Sequence, residues 1–351
     1  MRKRLFLLVL ALSTMGAASS PPPGAPPAAL GLAVNLSADA TTSEQNLALQ
    51  QVRATGVTLF ALPLSWPAAE PAPGRYRIAE LVRTARLLRQ SGAVLHLDLP
   101  LVAGTSREVP ADLAATAFDD PKLSLRLGRL LDALGPALLD FSFISFGSGA
   151  DAYFAQKPDE LAAFRRLFDG AIGFLGKKAP HLRGGVTTWT PTESPAPAIA
   201  AALHQKSPVL FYVYSPFERG ASFRHRPPDA IDRDWRQLLE TAGNRLIAFS
   251  EVSYSSAAAN GSSPAKQAEF VRRFRRLVAA ADGRRLLFAR YVPWRDPPAE
   301  PLPAGLSPGA AARSAFEANR GLQTSSGAAK PAWREWALAA KVRPRALRSS
   351  P

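Results

Sequence analysis

The sequence predicts a single α/β domain closed as a (β/α)8 barrel, the TIM-barrel fold. Three observations predict it. Eight short runs rich in β-branched and aromatic residues recur along the chain, longer amphipathic stretches separate them, and 351 residues with 47% hydrophobic and 20% charged content can bury a sizeable core in one domain. Strands separated by whole helices pair in parallel, because a parallel neighbour requires a crossover long enough to hold one. Eight such units close a barrel.

The first residues do not belong to it. Arg2-Lys3-Arg4, an apolar run from Leu5 to Leu12 and small residues through Gly16-Ala17-Ala18-Ser19 form the three regions of a secretory signal, with an apolar run too short to span a bilayer. The expected signal is 1–18, and the mature chain carries no integral membrane span and is secreted or periplasmic. Residues 19–30 (SSPPPGAPPAAL) read as a stiff Pro/Ala spacer.

The barrel is expected over 31–340. Its strand candidates are Leu32 to Leu36, Val57 to Leu64, Ala93 to Leu99, Phe141 to Phe146, Gly184 to Trp189, Val209 to Tyr214, Leu246 to Glu251 and Leu286 to Val292. Helical stretches include Ile78 to Ser91, Leu123 to Leu134, Pro158 to Leu175 and Pro264 to Ala281. In the second, Leu123, Leu127, Leu130, Leu131 and Leu134 recur at helical spacing, which places Arg126 and Arg129 on the outer face. An open doubly wound sheet would carry a Gly-rich loop after its first strand. Here that strand runs into Asn35-Leu36-Ser37-Ala38-Asp39 instead. Residues 341–351 form a basic tail without apolar periodicity.

The formal net charge is +15, three charges of it on Arg2, Lys3 and Arg4. That sign favours anionic partners. The arginines are scattered along helix faces rather than gathered in an arm, so nucleic acid is not the expected partner. The chain has no cysteine, hence no disulfide framework and no thiolate metal site, and no His/carboxylate cluster has metal-ligand spacing. The expectation is a monomer without cofactor or metal, with a carbohydrate as partner: an oligo- or polysaccharide, with acidic polymers one option.

In this fold the C-terminal strand ends assemble the site. They hold Asn35, Trp66, Asp98, Ser148 to Asp151, Trp189, Tyr212 and Tyr214, Glu251 with Tyr254, and Tyr291 with Trp294. Carboxylates and aromatic rings together suit sugars, whose apolar faces stack on flat rings while their hydroxyls need donors and acceptors. Trp66, Asp98, Ser148, Trp189, Tyr212, Tyr214, Tyr254 and Trp294 are the candidate substrate-binding residues.

Three segments carry a family resemblance. Trp66-Pro67-Ala68-Ala69-Glu70-Pro71 followed by Gly74 and Tyr76 is similar to the W-x-x-x-E-P-x-x-G-x-Y loop after strand two of the (β/α)8 retaining glycoside hydrolases. Ile247 to Ser256, with Gln267 and Phe270 beyond it, resembles that clan's seventh strand. Gly321-Leu322 and Lys330-Pro331-Ala332 resemble its closing stretch. The resemblance implies that Glu251 stands at the nucleophile position and that Tyr214 donates a hydrogen bond to it. It also exposes a departure. The fourth strand of such proteins ends in Gly-Asn-Glu, whose Glu is the acid/base, whereas Gly147-Ser148-Gly149 stands here, with Asp151 and Tyr153 following as in the family.

Retaining hydrolysis uses two carboxyl groups about 5 to 5.5 Å apart. Losing the general acid costs roughly 10² to 10⁴-fold. Asp151 is the candidate substitute nearest the gap, with Glu193, Glu218 and His225 as others; His96 is expected inside the barrel as a hydrogen-bonded core residue. Three readings stay open: a hydrolase of altered mechanism using Glu251 with a substitute acid such as Asp151 or with a substrate that brings its own, a non-catalytic carbohydrate-binding barrel of the cell envelope, and a scaffold that uses its basic surface on anionic polymers.

Overall fold

The computed structural model describes residues 27–36, 40–219, 223–281, 283–298 and 306–341. The expected signal at 1–18, all but the last four residues of the spacer, and the tail beyond Lys341 lie outside the described residues.

Eight parallel strands form the sheet: β1 (Ala29–Leu32), β2 (Leu59–Pro63), β3 (Val94–Asp98), β4 (Phe143–Ser145), β5 (Arg183–Gly185 and Thr187–Trp189, interrupted at Val186), β6 (Val209–Tyr214), β7 (Leu246–Val252) and β8 (Leu286–Tyr291). The first half of β5 pairs with β4 and the second half with β6, while β1 pairs with both β2 and β8, so the ring runs through β5 and closes. Gly185 makes that junction possible. A Cβ there would lie 2.4 Å from the Val209 carbonyl oxygen and 2.5 Å from the Phe211 ring.

β1 begins three residues before the expected strand, inside the spacer, and ends at Leu32. Its inward position is Gly31, where a Cβ would sit 2.8 Å from Leu59, so close packing at this point of the barrel wall is made by a residue with low intrinsic strand preference. Val34 to Leu36, read from sequence as strand, instead follow the sheet as partly buried coil.

The following helices α1 (Thr42–Arg53), α2 (Ala79–Gln90), α3 (Pro121–Leu134), α4 (Leu161–Lys178), α5 (Pro197–Leu203), α6 (Ala230–Ala242), α7 (Pro264–Ala280) and α8 (Pro331–Lys341) surround the sheet. Several starts are set by a capping residue followed by proline. The Asp120 carboxylate accepts from the Lys122 amide at 2.7 Å and the Ser263 hydroxyl from the Lys266 amide at 3.2 Å, with Pro121 and Pro264 filling positions whose missing N–H is not needed. Leu123, Leu127, Leu130, Leu131 and Leu134 do form the buried stripe of α3, but Arg126 does not lie on the outer face. It is 7% exposed and its guanidinium reaches Glu70 and Asp112, both at 2.9 Å. A residue at the edge of the apolar stripe is drawn inward when a buried carboxylate awaits it.

Leu59, Phe143, Val209, Phe211, Ala248 and Phe288 fill the barrel lumen as a cluster of their own, apart from the larger layer between strands and helices. The chain closes through α8, where buried Trp336 donates from its indole nitrogen to the Thr55 hydroxyl at 2.8 Å. The approach to α8 uses the residues of the closing motif: a Cβ on Gly321 would lie 2.1 Å from the Asp296 amide nitrogen, and Lys330 pairs with the Asp296 carboxylate at 2.6 Å.

Candidate active site

Alternation decides what each strand offers the barrel mouth. On β3, Val94, His96 and Asp98 point inward; on β4, Phe143 and Ser145; on β8, Phe288 and Arg290. The result is a chain of polar groups above the aromatic lumen. His96 stacks between Phe211 and Phe288, and its Nε2 meets the Ser145 hydroxyl at 2.9 Å. Ser145 in turn donates to Asp98 at 2.7 Å. Burial lowers the His96 pKa well below the usual value, so the ring is neutral and serves as the Nε2–H donor at the base of this chain. Burial pushes the Asp98 carboxyl up, Arg290 and the Ser145 hydroxyl pull it back, and Glu251 adds to the rise.

On β7 alternation alone would turn Glu251 outward, in phase with Phe249, which stacks on Trp235 of α6. The register shifts between Phe249 and Glu251, so that Phe249 opposes Tyr212 and Glu251 opposes inward-facing Val213. This bulge puts Ser250 and Glu251 on the same side, and Ser250 meets Thr187 across the lumen at 3.3 Å. Glu251 therefore faces the mouth with 25% of its side chain exposed. The Arg320 guanidinium is ion-paired with it, and Glu317 holds that guanidinium from the other side at 2.7 Å. Arg290 donates to the Ser250 carbonyl at 2.7 Å and feels the charges of Asp98, Glu251 and Arg320. The mouth thus contains two carboxylates, from β3 and β7, separated in the electrostatic sense by two guanidinium groups.

The opposite wall is formed by the loop after β4. Ser148 is fixed through its backbone: its amide donates to Val102 at 2.9 Å and its carbonyl accepts from Gly104 at 2.8 Å, both on a hairpin (Val102–Ala103 and Ser106–Arg107) inserted after β3. Gly149 adopts φ 60°, and the space where its Cβ would stand is 3.0 Å from the Trp189 indole nitrogen. Both features resist a side chain at this position. Gly149→Glu is accordingly expected to destabilise the fold by about 1–3 kcal/mol and to confer no turnover of aryl glycosides; a thermal melt and a chromogenic assay check it. Turnover in that variant would show that Trp189 yields readily.

The structure separates the remaining expected site residues. Asp151 is buried, accepting from the Trp189 amide at 3.0 Å and the Ser194 hydroxyl at 2.5 Å, so both oxygens serve to tie the helix after β4 to the end of β5. Tyr214 does not reach Glu251. It points outward and donates to Asp234 of α6 at 2.8 Å, and Tyr212 packs outward against His204. Trp66, Tyr254 and Trp294 are each 0% exposed. Trp66 donates to Glu70, Tyr254 donates to the Arg226 carbonyl between His225 and Phe270, and Trp294 packs against Trp333 under the Arg295 guanidinium. None of these five aromatic rings offers a face to a ligand. Among the expected stacking residues Trp189 does, at the edge of a cleft of about 530 Å³ shared with Phe217 and Phe223 between the loops after β5 and β6.

The other proposed proton donors are also committed. Glu193 is not a solvated loop residue: it is buried against Arg226 and accepts from the Phe217 amide at 3.0 Å. Glu218 pairs with Arg224 at 3.0 Å near the surface. His225 accepts from the Ser255 amide at 2.9 Å, and burial lowers its pKa to about 3. Arg290 and Arg320 were missed in the sequence. Arg290 was readable as a charge at an inward position two residues after Phe288, whereas Arg320 lies in a loop with no pattern to mark it.

No protein-family model and no curated protein matches the chain. Solved structures do. A GH5_18 protein from Streptomyces cattleya in complex with Manβ1-4GlcNAc superposes with a TM-score of 0.67 at 16% identity, over 92% of this chain and 82% of that one. An exo-β-1,4-mannosidase from Opitutaceae bacterium strain TAV5 gives 0.64 at 16% identity, over 92% and 62%. Xylanase10C from Cellvibrio japonicus in complex with xylopentaose gives 0.60 at 11% identity, over 90% and 68%. The fold is that of the glycoside-hydrolase barrels. At these identities the likeness is one of architecture, and the chemistry rests on the residues at the mouth.

Proposed function

We propose that this chain is an exported carbohydrate-binding barrel whose mouth no longer supports retaining hydrolysis by the usual carboxylate pair. The observation that carries the reading is the wall opposite Glu251: Gly149 in a left-handed conformation, with the Trp189 indole against the space a proton donor would occupy. The ion pair of Glu251 with Arg320 supports it, since a carboxylate whose charge is partly neutralised by a guanidinium is a poorer nucleophile. Sugar hydroxyls would find Asp98, Glu251 and the guanidinium of Arg290 at the mouth, while the exposed face of Trp189 receives an apolar pyranose face. Solved barrels of this fold hold Manβ1-4GlcNAc and xylopentaose, which makes manno- and xylo-oligosaccharides the first to try.

One observation favours a second reading. Asp98 is a carboxyl with a raised pKa in the field of Glu251, which is the condition for a proton donor paired with an ionised partner. In that case Glu251 attacks the anomeric carbon, the bond to the leaving oxygen breaks, and Asp98 delivers the proton to that oxygen.

Calorimetry with manno- and xylo-oligosaccharides, beside an assay on dinitrophenyl glycosides, separates the two. Binding without turnover is expected, with affinity falling at least about tenfold in Trp189→Ala. Turnover abolished by Asp98→Asn or Glu251→Gln would establish the second reading. Absence of both binding and turnover across β1-4-linked sugars would refute the carbohydrate assignment. Export is checked by amino-terminal sequencing, where a mature end near Ser19 is expected.

A further inference from the structure

The end of the barrel opposite the mouth carries a second feature. Where β1 begins and where α7 and α8 end, an open groove of about 680 Å³ is lined by Pro27 and Leu30, by Val278, by Leu338, by arginines of α7 and by one carboxylate, Glu335. Leu338 is 54% exposed. Arg272 is exposed and has no ion pair among the described residues, and Arg276 is exposed, with a contact to Asp232 at 3.3 Å. Arg275 lies beneath them, its guanidinium over the Trp336 ring at 4.7 Å and bonded to the Thr55 carbonyl at 3.1 Å. Its Nη1 is buried without a partner, and no carboxylate among the described residues pairs with it. Apolar surface and a net positive charge, three arginines against Glu335, therefore share one face.

Both ends of the described chain leave from this face, at Pro27 and beyond Ala339 of α8. The sequence following Lys341 adds Arg343, Arg345 and Arg348. Among the described residues no helix is long and apolar enough to cross a membrane.

We propose that this face docks the barrel peripherally on an anionic lipid surface, with the carbohydrate-binding mouth turned away from it. Basic side chains at a bilayer surface each contribute about 1 kcal/mol of attraction to anionic headgroups, and an exposed leucine beside them enters the interfacial layer. An acidic polysaccharide would satisfy the arginines but leave the apolar groove unused, which is why lipid is the occupant assigned.

The test is co-sedimentation of the mature chain, residues 19–351, with phosphatidylglycerol vesicles and, separately, with phosphatidylcholine vesicles. Binding to the anionic vesicles that weakens with added salt is expected, together with a loss of roughly 30-fold or more in R272E/R276E. Arg272→Gln, which disturbs no ion pair, is expected to lose about fivefold and keeps the test valid if the double variant melts early. Equal binding to both vesicle types, or charge variants that bind as the wild type does, would overturn the proposal. Binding to polygalacturonate without binding to either vesicle would overturn it in favour of the polysaccharide. Saccharide binding at the mouth is measured separately and is independent of either outcome.

Discussion

Glu70→Ala is expected to destabilise the protein by about 3–5 kcal/mol, seen as a fall of roughly 10 °C in the thermal midpoint and a matching shift in urea. The side chain of Glu70 is fully buried, and both oxygens are used. Oε1 accepts from the Gly74 amide at 2.7 Å and from Arg126 at 2.9 Å, and Oε2 accepts from the Trp66 indole at 2.8 Å. Truncation leaves the buried Trp66 indole and the Gly74 amide without an acceptor and the largely buried Arg126 guanidinium with only the half-exposed Asp112 as partner, and the cost of an under-compensated charge exceeds the worth of the contact removed. Glu70→Gln keeps one acceptor oxygen and should lose less. Equal melting of wild type and Glu70→Ala would mean that the loop after β2 closes by packing alone. The expected effect is on stability, so the retained Glu of the W-x-x-x-E-P loop is a structural residue in this chain.

Acidification is expected to cost several kcal/mol between pH 6.5 and pH 4, before general acid unfolding. Burial lowers the pKa of His204 to about 4 and that of His225 to about 3, and His96 moves in the same direction. Unfolded, each takes up its proton near pH 6.5. A histidine whose folded pKa is depressed contributes its stability in full above the unfolded value and loses it as pH falls towards the folded one, because the unfolded state then binds the extra proton. The contribution is about 3 kcal/mol for His204 and somewhat more for His225. The contacts give the reason: His204 donates to the Val186 carbonyl at 3.0 Å within a buried site, and His225 accepts through Nε2, which protonation forbids. Asp98, Asp151 and Glu193, whose pKa values burial raises, work in the opposite sense and offset part of the loss at the acid end. Melting curves at half-unit pH steps check the expectation. A midpoint constant from pH 6.5 to pH 4.5, or one equally steep in H204Q/H225Q, would show that another group governs the transition.

Strand positions were legible because the chain alternates apolar runs and amphipathic helices without ambiguity, and β6 starts and stops at the residues expected from sequence. Facing directions were less so. VLFYVY has no polar residue to set the phase of β6, so Tyr212 and Tyr214 were expected at the mouth when the fold turns them towards the helices. At Trp66, Tyr254 and Trp294 the elements were legible but not their depth, since aromatic rings at strand ends serve equally as loop packing and as ligand platforms.

By itself, the sequence determined the parallel eight-unit alternation, the helix start at Pro264, and the glycine where a fourth-strand acid would stand, because each follows from local preference or from identity at one position. Only the tertiary structure decided that a bulge at Ser250 turns Glu251 into the mouth, that Arg320 reaches it across 69 residues, that Trp189 lies over Gly149, and that the arginines of α7 meet the groove below β1. These depend on register and on contacts between distant segments. A shift of one residue in pairing exchanges the two faces of a strand, and no local pattern in a chain records which partner will close on it.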